Sequence, residues 1–381
     1  MDKRIFRPTG WNVLALILVI FGLILTVVRY TKGLGAVTNL TDWYPWGFWI
    51  AFDVMSGVAL AAGGFVIAGI VHIFNLKRYK PIVRPAILTA FLGYFLVIVG
   101  LLVDLGRPWF IYHAIIMPQV HSVMLEVAMC VFFYFIVLFL EFLPIYFQGV
   151  KQYTAYKALY AISIPLVIIG IMLSTLHQSS LGGLLLLAKE QLNPLWYSSA
   201  LPFNFFLSAV AAGFGMVILE SQASSKTYGR APENDILGSL SKGAGIILAV
   251  YFIWRMIDIS MNGGWKGLSA GYEAGWFWVE IILGVVVPCL FLLGPGRTNP
   301  GIRQWGAILT VFGVVLNRIN ATLTGMITGT GYRYFPSWQE IFISLAIVCA
   351  GLLIFQAIVQ MLPIFDPEVK EAEAAMAAAG A

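Results

Sequence analysis

The chain has 381 residues, of which 60% are hydrophobic and only 11% are charged. A soluble globular protein carries roughly 25% charged residues, so this composition excludes a soluble enzyme. The net charge of +5 comes from Lys and Arg residues in short loops between long apolar runs. A nucleic-acid-binding domain would need those charges in one stripe on a soluble surface, and is therefore excluded too.

The three cysteines, Cys130, Cys289 and Cys349, each lie inside an apolar run, without a C-x-x-C pair or a C-x-x-C-H string. This ligand count predicts neither an iron–sulfur cluster nor covalently bound haem in the chain. The first apolar run follows the basic residues Lys3 and Arg4, and no early cleavage site follows it. The N-terminus is therefore expected to be a retained signal anchor.

The sequence predicts an all-α, polytopic membrane protein. About 20 apolar residues cross the hydrocarbon core of a bilayer, and no segment shows the ~10-residue alternation of a transmembrane β-barrel. Residues 1–365 are predicted to form one transmembrane domain, and the Ala- and Glu-rich residues 366–381 a solvated cytoplasmic tail. The ten predicted spans, numbered in chain order, are 12–30, 46–74, 83–103, 120–146, 155–177, 203–220, 240–261, 274–293, 303–321 and 338–361.

Lys and Arg divide unequally between the loops on the two sides. The side that holds both termini has fifteen of them, and the other side has six. The positive-inside rule therefore predicts that both termini are cytoplasmic, in the inner (cytoplasmic) membrane. The outward loops are richer in polar and aromatic residues, so the chemistry is expected to face outward.

Two pairs of acidic residues share a spacing. Asp104 and Glu126, in spans 3 and 4, lie 22 residues apart, as do Asp258 and Glu280 in spans 7 and 8. Because spans 2 and 6 run in the same direction, this spacing predicts two four-helix bundles, spans 2–5 and spans 6–9, related as parallel repeats. The predicted bundles cover about residues 46–177 and 203–321.

An ionisable side chain inside a membrane costs several kcal/mol unless it is paired or hydrated, so each one is a functional candidate. The first bundle brings such groups to its outer half from all four spans. At 1.5 Å per residue, Asp53 is predicted roughly 10 Å, and Glu126 roughly 9 Å, below the outer ends of their spans. The other candidates lie in or just after spans 3 and 5: Tyr94, Asp104, Arg107, His177 and Gln178.

A structural interpretation of the same residues stays open. Asp104 would pair with Arg107, and His177 would cap span 5 by donating to a carbonyl. Asp53 and Glu126 fit this interpretation less well, because neither has a basic residue nearby on its own helix.

The second bundle carries four charged residues at a similar outer depth, and their charges sum to zero. A self-neutralising buried network is therefore favoured over a second site. The tryptophans near the span ends, Trp196 and Trp49 among them, are expected to form an aromatic belt. The four charged residues are Arg255, Asp258, Glu280 and Arg318.

Bis-histidine haem b is one alternative cofactor, because His121 and His177 are predicted at a common depth. Each is predicted at a helix end rather than within a span, which is unusual for haem ligands of this kind. A carboxylate, a phenol, an imidazole and an arginine near the outer surface suit a quinone better. Donors can bind the quinone carbonyls, and a carboxylate can relay the two protons that quinol formation requires.

Five strings, in order over about residues 30 to 363, resemble the NrfD-like membrane subunits, and most closely the HybB type that anchors periplasmic NiFe hydrogenases. The resemblance implies a ten-helix subunit without cofactors or metals of its own. It implies an outer-face, ferredoxin-like iron–sulfur subunit and the hydrogenase large and small subunits as partners, with menaquinone or ubiquinone as electron acceptor. It leaves open whether electron transfer is coupled to proton translocation. The strings are Trp43–Asp53, Val83–Ala86, Asp104–Arg107, Leu176–Gly182 and Tyr334–Trp338.

Individual roles also follow from this resemblance. Tyr94, Glu126 and His177 correspond by position to the family's proposed quinone and proton residues, with Asp53 and Asp104 as supporting acids. Two residues within matching strings, Arg107 and Gln178, are added as candidate quinone ligands. The name "cytochrome b subunit" used for this type conflicts with the small number of suitable histidines.

Other functions remain open. A secondary transporter would usually have helices broken at the midplane, whereas Pro165 and Pro288 are isolated. A purely structural anchor would not need Asp53 and Glu126 inside the membrane. A haem b electron carrier, or the membrane subunit of another NrfD-type oxidoreductase, is a further alternative. The iron–sulfur partner is expected to dock over loops 104–119 and 178–202.

Overall fold

The fold is helical throughout the part of the chain that the structure describes. A computed structural model describes residues 9–269, 271–327, 331–365, 369–371, 374 and 376. Within these residues the one β-type feature is an isolated bridge between Leu192 and Met326. Ten of the described helices are long and apolar enough to cross a membrane, which confirms the predicted all-α polytopic class. The predicted tail lies largely outside the described residues.

The ten spans are named here in chain order. They are α1 Gly10–Lys32, α2 Ile50–His72, α3 Lys77–Asp104, α4 Val123–Gly149, α5 Ser163–Ala188, α6 Leu201–Tyr228, α7 Asn234–Met261, α8 Tyr272–Leu293, α9 Pro300–Thr324 and α10 Trp338–Met361. A short helix, Tyr153–Ala161, lies between α4 and α5.

Two helix ends were predicted too early. We call the side opposite the first residue of α1 and the last residue of α10 the outer side. The outer end of α5 lies at Ala188 rather than at residue 177, and α6 ends at Tyr228 rather than at residue 220. Both extensions contain polar side chains that the protein buries, such as Ser180 and Ser224. Hydropathy alone marks such residues as loop, because it does not show that a neighbouring helix covers them.

The spans pack in two rings of four. In the first ring, α2 contacts α3 and α5, and α4 also contacts α3 and α5. In the second ring, α6 contacts α7 and α9, and α8 also contacts α7 and α9. Contacts of α6 with α2 and α5 join the rings, while α1 and α10 pair with each other and α10 lies against α3.

Glycines allow the closest helix crossings. A Cβ atom on Gly284 of α8 would lie 2.4 Å from the Cα atom of Gly313 on α9, so these two backbones touch directly. At the seam between the rings, a Cβ atom on Gly213 of α6 would lie 2.9 Å from the backbone nitrogen of Gly63 on α2. Close backbone approach of this kind is a main source of packing energy between membrane helices.

Three spans contain π-helical turns, which often accompany functional or polar positions. They are Ile50–Ser56 in α2, Ile282–Val286 in α8 and Asn320–Thr324 in α9. The first contains Asp53 and the third contains Asn320, and the second begins two residues after Glu280. Each π-helical turn therefore contains a buried polar side chain or begins close to one.

The strings Trp43–Asp53 and Tyr334–Trp338 meet at the outer ends of α2 and α10. The carboxylate of Glu340, on α10, accepts hydrogen bonds from the Tyr334 hydroxyl and from the backbone nitrogens of Asn39, at 3.1 Å, and Ser337, at 2.8 Å. The Trp49 indole donates to the Glu340 carbonyl at 3.2 Å. We call these five residues the outer clamp. Burial, together with the Glu340 carboxylate, raises the pKa of Tyr334, so its hydroxyl stays a donor.

The Gly284–Gly313 crossing gives a test of the packing. We expect Gly284→Ala to destabilise the protein by about 1–3 kcal/mol, because its methyl group forces α8 and α9 apart. Gly275→Ala, on the same helix, is the matched control, since a Cβ atom there meets nothing within 4 Å. The melting temperature of detergent-solubilised protein, measured by size-exclusion chromatography after heating, should fall for the first variant only. Equal melting temperatures would show that α8 and α9 do not touch at this point.

Candidate functional site

The interior of the first ring holds a hydrogen-bonded phenol and imidazole. The Tyr94 hydroxyl, on α3, and His177 Nδ1, on α5, are 2.9 Å apart, and both residues are fully buried. The ring of Tyr134, on α4, packs edge-on against Tyr94 with centroids 4.6 Å apart. Within the described residues, His177 Nε2 is buried and has no hydrogen-bond partner. The two residues that were predicted to act together therefore do meet.

The depth of His177 differs from the prediction. Eleven residues of α5 follow it, so it lies about 16 Å below the outer end of the helix rather than at that end. It therefore does not cap α5. The next residue, Gln178, is also fully buried.

The regular hydrogen bonding of α2 is interrupted at Ala61–Ala62, and the Gln178 side chain binds the carbonyl that is left free. The backbone nitrogen of Ala62 bonds to the carbonyl of Ala59, which leaves the Val58 carbonyl without its usual helical partner. The Gln178 side-chain nitrogen donates to that carbonyl at 3.0 Å. The Gln178 oxygen Oε1 is buried and has no partner among the described residues. Two unpartnered polar atoms, one on each of two successive α5 residues, thus lie inside the first ring.

Glu126 lies nearer the surface than predicted. Because α4 begins at Val123, with Ser122 as its N-cap, Glu126 is in the first helical turn, about 4.5 Å from the helix start rather than roughly 9 Å deep. Its side chain is exposed, and one carboxylate oxygen accepts a hydrogen bond from Ser180 of α5. The contact between Glu126 and Ser180 therefore joins the first turn of α4 to α5 at the outer rim of the first ring.

Asp53 is buried, but on the opposite side of α2. Its Oδ2 atom accepts a hydrogen bond from the Ser344 hydroxyl on α10 at 2.5 Å. It packs against α3 at Gly100, where a Cβ atom would lie only 2.7 Å from the Asp53 Cβ. Asp53 therefore faces α10 rather than Tyr94 and His177.

Asp53 lines a mostly apolar crevice between α2, α3, α6 and α10. The crevice has a volume of about 420 Å³ and also contains Glu220 of α6. Gly57 and Gly93 lie in its walls. Tyr94 is on the other face of α3. The structure therefore separates the predicted site residues into an interior group, Tyr94, His177 and Gln178, and a crevice group, of which Asp53 is a member.

Arg29, on α1, takes the place that was predicted for Arg107. Arg29 is buried, donates through Nε to the Val103 carbonyl at 2.7 Å and also donates to the Leu105 carbonyl. Asp104 is half-buried and interacts electrostatically with Arg29 and with Glu340. Arg107 is exposed and forms no ion pair with Asp104 in the described part of the chain, so the proposed Asp104–Arg107 pair is wrong.

The hydrogen-bond partners of the predicted site residues were harder to predict than the site residues themselves. Ser180 and Ser344 carry no pattern that would link them to Glu126 and Asp53. Glu340 could have been found, because Ser337 and Glu340 have the spacing of a helix capping box, which the structure contains.

The histidines expected for a haem pair do not lie at one depth. His121 is exposed in the loop before α4, whereas His177 is buried deep in α5 with Nδ1 bonded to Tyr94. Among the described residues no group of three or more His, Cys, Asp or Glu residues could hold a metal ion.

The second ring contains the predicted charged residues in two linked groups. Arg255 forms a buried ion pair with Asp258, with 2.9 Å between Arg255 NH1 and Asp258 Oδ2. Asp258 also accepts hydrogen bonds from Asn204 and Asn262, each at 2.9 Å, and from Ser198. Every oxygen of this carboxylate therefore has a donor.

Glu280 and Arg318 are joined through amides. Glu280 accepts from Trp196 at 2.9 Å, from Asn317 at 2.7 Å and from Asn320 at 2.8 Å. Arg318 donates to Asn317 at 2.6 Å. Trp196 was expected in the aromatic belt, as was Trp49, but each is 1% exposed and bonded inside the protein. The carboxylates of this ring are thus fully bonded, as a structural network requires.

The Arg255–Asp258 pair gives a test of this network. Removing one partner of a buried ion pair leaves an uncompensated charge, which costs about 3–5 kcal/mol. We expect Arg255→Met to lower the melting temperature and yield sharply, and Asp258→Asn in the same chain to restore part of the loss. The control is Arg333→Met, which breaks an exposed pair with Glu273 and should cost under about 1 kcal/mol. If Arg255→Met and Arg333→Met lowered the melting temperature equally, the structural role of the network would be contradicted.

Comparison with known proteins identifies the same family that the five strings of the sequence resemble. The family described as polysulphide reductase NrfD matches residues 36–329. A protein of Nitratidesulfovibrio vulgaris is 40% identical over 97% of this chain and 98% of its own length.

Two further relatives have informative names. The probable Ni/Fe-hydrogenase 2 b-type cytochrome subunit of Escherichia coli K12 is 31% identical over 95% of both chains. The menaquinone reductase integral membrane subunit of Nitratidesulfovibrio vulgaris is 31% identical over 89% of this chain and 87% of its own. The chain therefore belongs to the NrfD family of integral membrane subunits and is a homologue of the HybB-type hydrogenase subunit.

Proposed function

We propose that this chain is the quinone-reactive membrane subunit of a hydrogen:quinone oxidoreductase complex. It would take electrons from an iron–sulfur subunit on its outer face and reduce menaquinone or ubiquinone. The observation that carries the proposal is the pair of unpartnered buried atoms, His177 Nε2 and Gln178 Oε1, beside Tyr94. Buried polar atoms are bonded in most proteins, so an unpaired set inside a helix ring indicates a place for a polar ligand or for water.

The hydrogen bond between Tyr94 and His177 suits a quinone carbonyl. When the Tyr94 hydroxyl donates to Nδ1, the neutral imidazole carries its proton on Nε2. Nε2 is then a donor, and a quinone carbonyl is an acceptor. The aromatic rings of Tyr94 and Tyr134 supply an apolar wall for a flat headgroup.

Quinol formation also requires two protons. Glu126 is exposed at the outer rim of the first ring and bonded to Ser180, which lies three residues after His177 on α5. We propose that Glu126 exchanges protons with water at this rim, and that His177 and Tyr94 hold protons next to the quinone. Asp53 and Asp104 lie on the α10 side and are proposed as a separate, supporting acid group.

The partner is proposed to dock on the outer face. In the predicted docking loop 104–119, the side chains of Trp109, Ile116 and Met117 are each at least 60% exposed. The second predicted loop is shorter than expected, because residues 178–188 belong to α5. Docking is therefore proposed over 104–119 and residues 189–200, with the hydrogenase large and small subunits beyond the iron–sulfur subunit.

The orientation is proposed from the charge count, with both termini in the cytoplasm and the chain in the inner membrane. We also propose that the chain holds neither haem nor an iron–sulfur cluster, although its Escherichia coli relative is named a b-type cytochrome subunit. His177 is deep and bonded, while His121 is in a loop, so the two do not provide opposed axial ligands.

A transporter function fits less well. The break in α2 at Ala61–Ala62 was not predicted, and a broken helix is typical of transporters. Here the freed Val58 carbonyl is bonded by Gln178. The break therefore binds the Gln178 side chain instead of leaving a carbonyl free for an ion.

Variants of the buried pair test the proposal. We expect His177→Gln and Tyr94→Phe each to lower hydrogen-dependent quinone reduction at least tenfold, about 1.4 kcal/mol in the barrier. Hydrogen oxidation with a soluble dye, and retention of the complex in the membrane, should stay normal. The matched control is His121→Gln, at the exposed histidine.

Two results would contradict it. Normal quinone reduction in an assembled His177→Gln complex would remove His177 from the site. A stoichiometric haem absorbance band that is lost in both histidine variants would establish the haem alternative instead.

A further inference from the structure

A large basic pocket lies at the end of the molecule opposite the proposed quinone site. Its volume is about 940 Å³. Three segments form it: the start of α3, the start of α7 and the turn between α8 and α9. All three lie on the side that has the excess of Lys and Arg. We propose that this pocket binds an anionic phospholipid with two phosphates, of the cardiolipin class.

The charges of the lining support such a ligand. Arg78, Lys242 and Arg297 line the pocket together with a single acid, Asp235, which leaves a net charge of +2. Two headgroup phosphates carry about the complementary charge. Basic pockets between membrane helices on the cytoplasmic side are where such headgroups bind.

The walls are held in place before any ligand arrives. Arg303 is fully buried and donates to the Gly296 carbonyl at 2.9 Å, the Arg297 carbonyl at 3.2 Å and the Asn234 side chain at 3.2 Å. It therefore ties the α8–α9 turn to the start of α7. Gly238 allows this contact, because a Cβ atom there would lie 2.5 Å from the Arg297 carbonyl oxygen.

Arg78 is also held from the opposite wall. It donates to the Tyr79 hydroxyl at 2.5 Å, and its guanidinium carbon lies 4.7 Å from the centre of the Tyr79 ring. Tyr79 itself is buried, so the arginine rests on a fixed aromatic surface.

The pocket is polar at the start of α7 and apolar further along the helix, as a lipid is polar at its headgroup and apolar along its acyl chains. Asn234 and Asp235 are at the helix start, Lys242 is about 12 Å further along, and Ile246 is about 18 Å along. The Ile246 side chain is apolar and 45% exposed within a span, where an exposed apolar side chain is expected to contact lipid. A soluble anion would use the charged end only, whereas a phospholipid also covers the apolar end.

Native mass spectrometry of the purified full chain tests the proposal with added lipids. We expect cardiolipin to bind at least tenfold more tightly than phosphatidylcholine and clearly more tightly than phosphatidylglycerol. The variant Arg78→Gln/Lys242→Gln/Arg297→Gln should weaken cardiolipin binding at least tenfold. The matched control, Lys151→Gln/Lys157→Gln/Lys226→Gln, removes three exposed lysines on the same side but outside the pocket, and should change binding less than threefold.

Other results would overturn the proposal. Equal loss in the control variant would show diffuse charge attraction, and equal binding of phosphatidylglycerol would show that two phosphates are not recognised. Displacement of the lipid by micromolar inorganic pyrophosphate would identify a soluble anion site. If the triple variant does not fold, the three single variants, each at an exposed side chain, should each weaken binding about threefold, and unchanged binding in all three would refute the site.

Discussion

A polar group buried in a bilayer has to find its partner within the protein, because hydrocarbon offers none. The second ring meets this requirement at its carboxylates, since each of Asp258 and Glu280 accepts at least three hydrogen bonds. The first ring leaves His177 Nε2 and Gln178 Oε1 unpartnered beside the hydrogen bond of Tyr94 with His177. In the described part of the chain the second ring also leaves polar atoms unpartnered, but none of them belongs to a carboxylate; they include Asn204 Oδ1, Arg255 Nε, Arg318 Nε and Asn320 Oδ1. The two rings thus differ in the polar groups that they bury in their interiors: carboxylates and arginines in the second, and a phenol, an imidazole and an amide in the first.

The outer clamp joins two strings that lie far apart in the sequence, Trp43–Asp53 and Tyr334–Trp338. Glu340 of α10 binds Tyr334 and the backbone at Asn39, and the Trp49 indole bonds to its carbonyl. The clamp fixes the outer end of α2, whose next turns carry Asp53 on one face and Val58, bonded by Gln178, on another. Correct placement of α2 therefore positions both the interior group and the crevice group.

The ten spans could be predicted from the sequence, because apolar runs of sufficient length have few other uses. The ends of α5 and α6 could not, because buried Ser and Gln residues lower the hydropathy of a helix that other helices cover. Tyr94 and His177 were predicted together, since each is a polar residue within or at the end of an apolar span of the first bundle. The depth of Glu126 was wrong because α4 starts at the Ser122 cap. Arg29, Ser180 and Ser344 were missed as partners, because contacts between distant helices leave no spacing in the sequence.

We propose that the quinone headgroup binds inside the first ring, beside the hydrogen-bonded pair of Tyr94 and His177. The most direct measurement is photolabelling of the assembled complex with an azido-quinone, followed by mass spectrometry of the labelled peptides. The account predicts label on α5 near His177 and Gln178 and on α3 near Tyr94, lost when excess unlabelled menaquinone is present. Label confined to the crevice peptides around Asp53 and Glu220, or to the second ring, would contradict it.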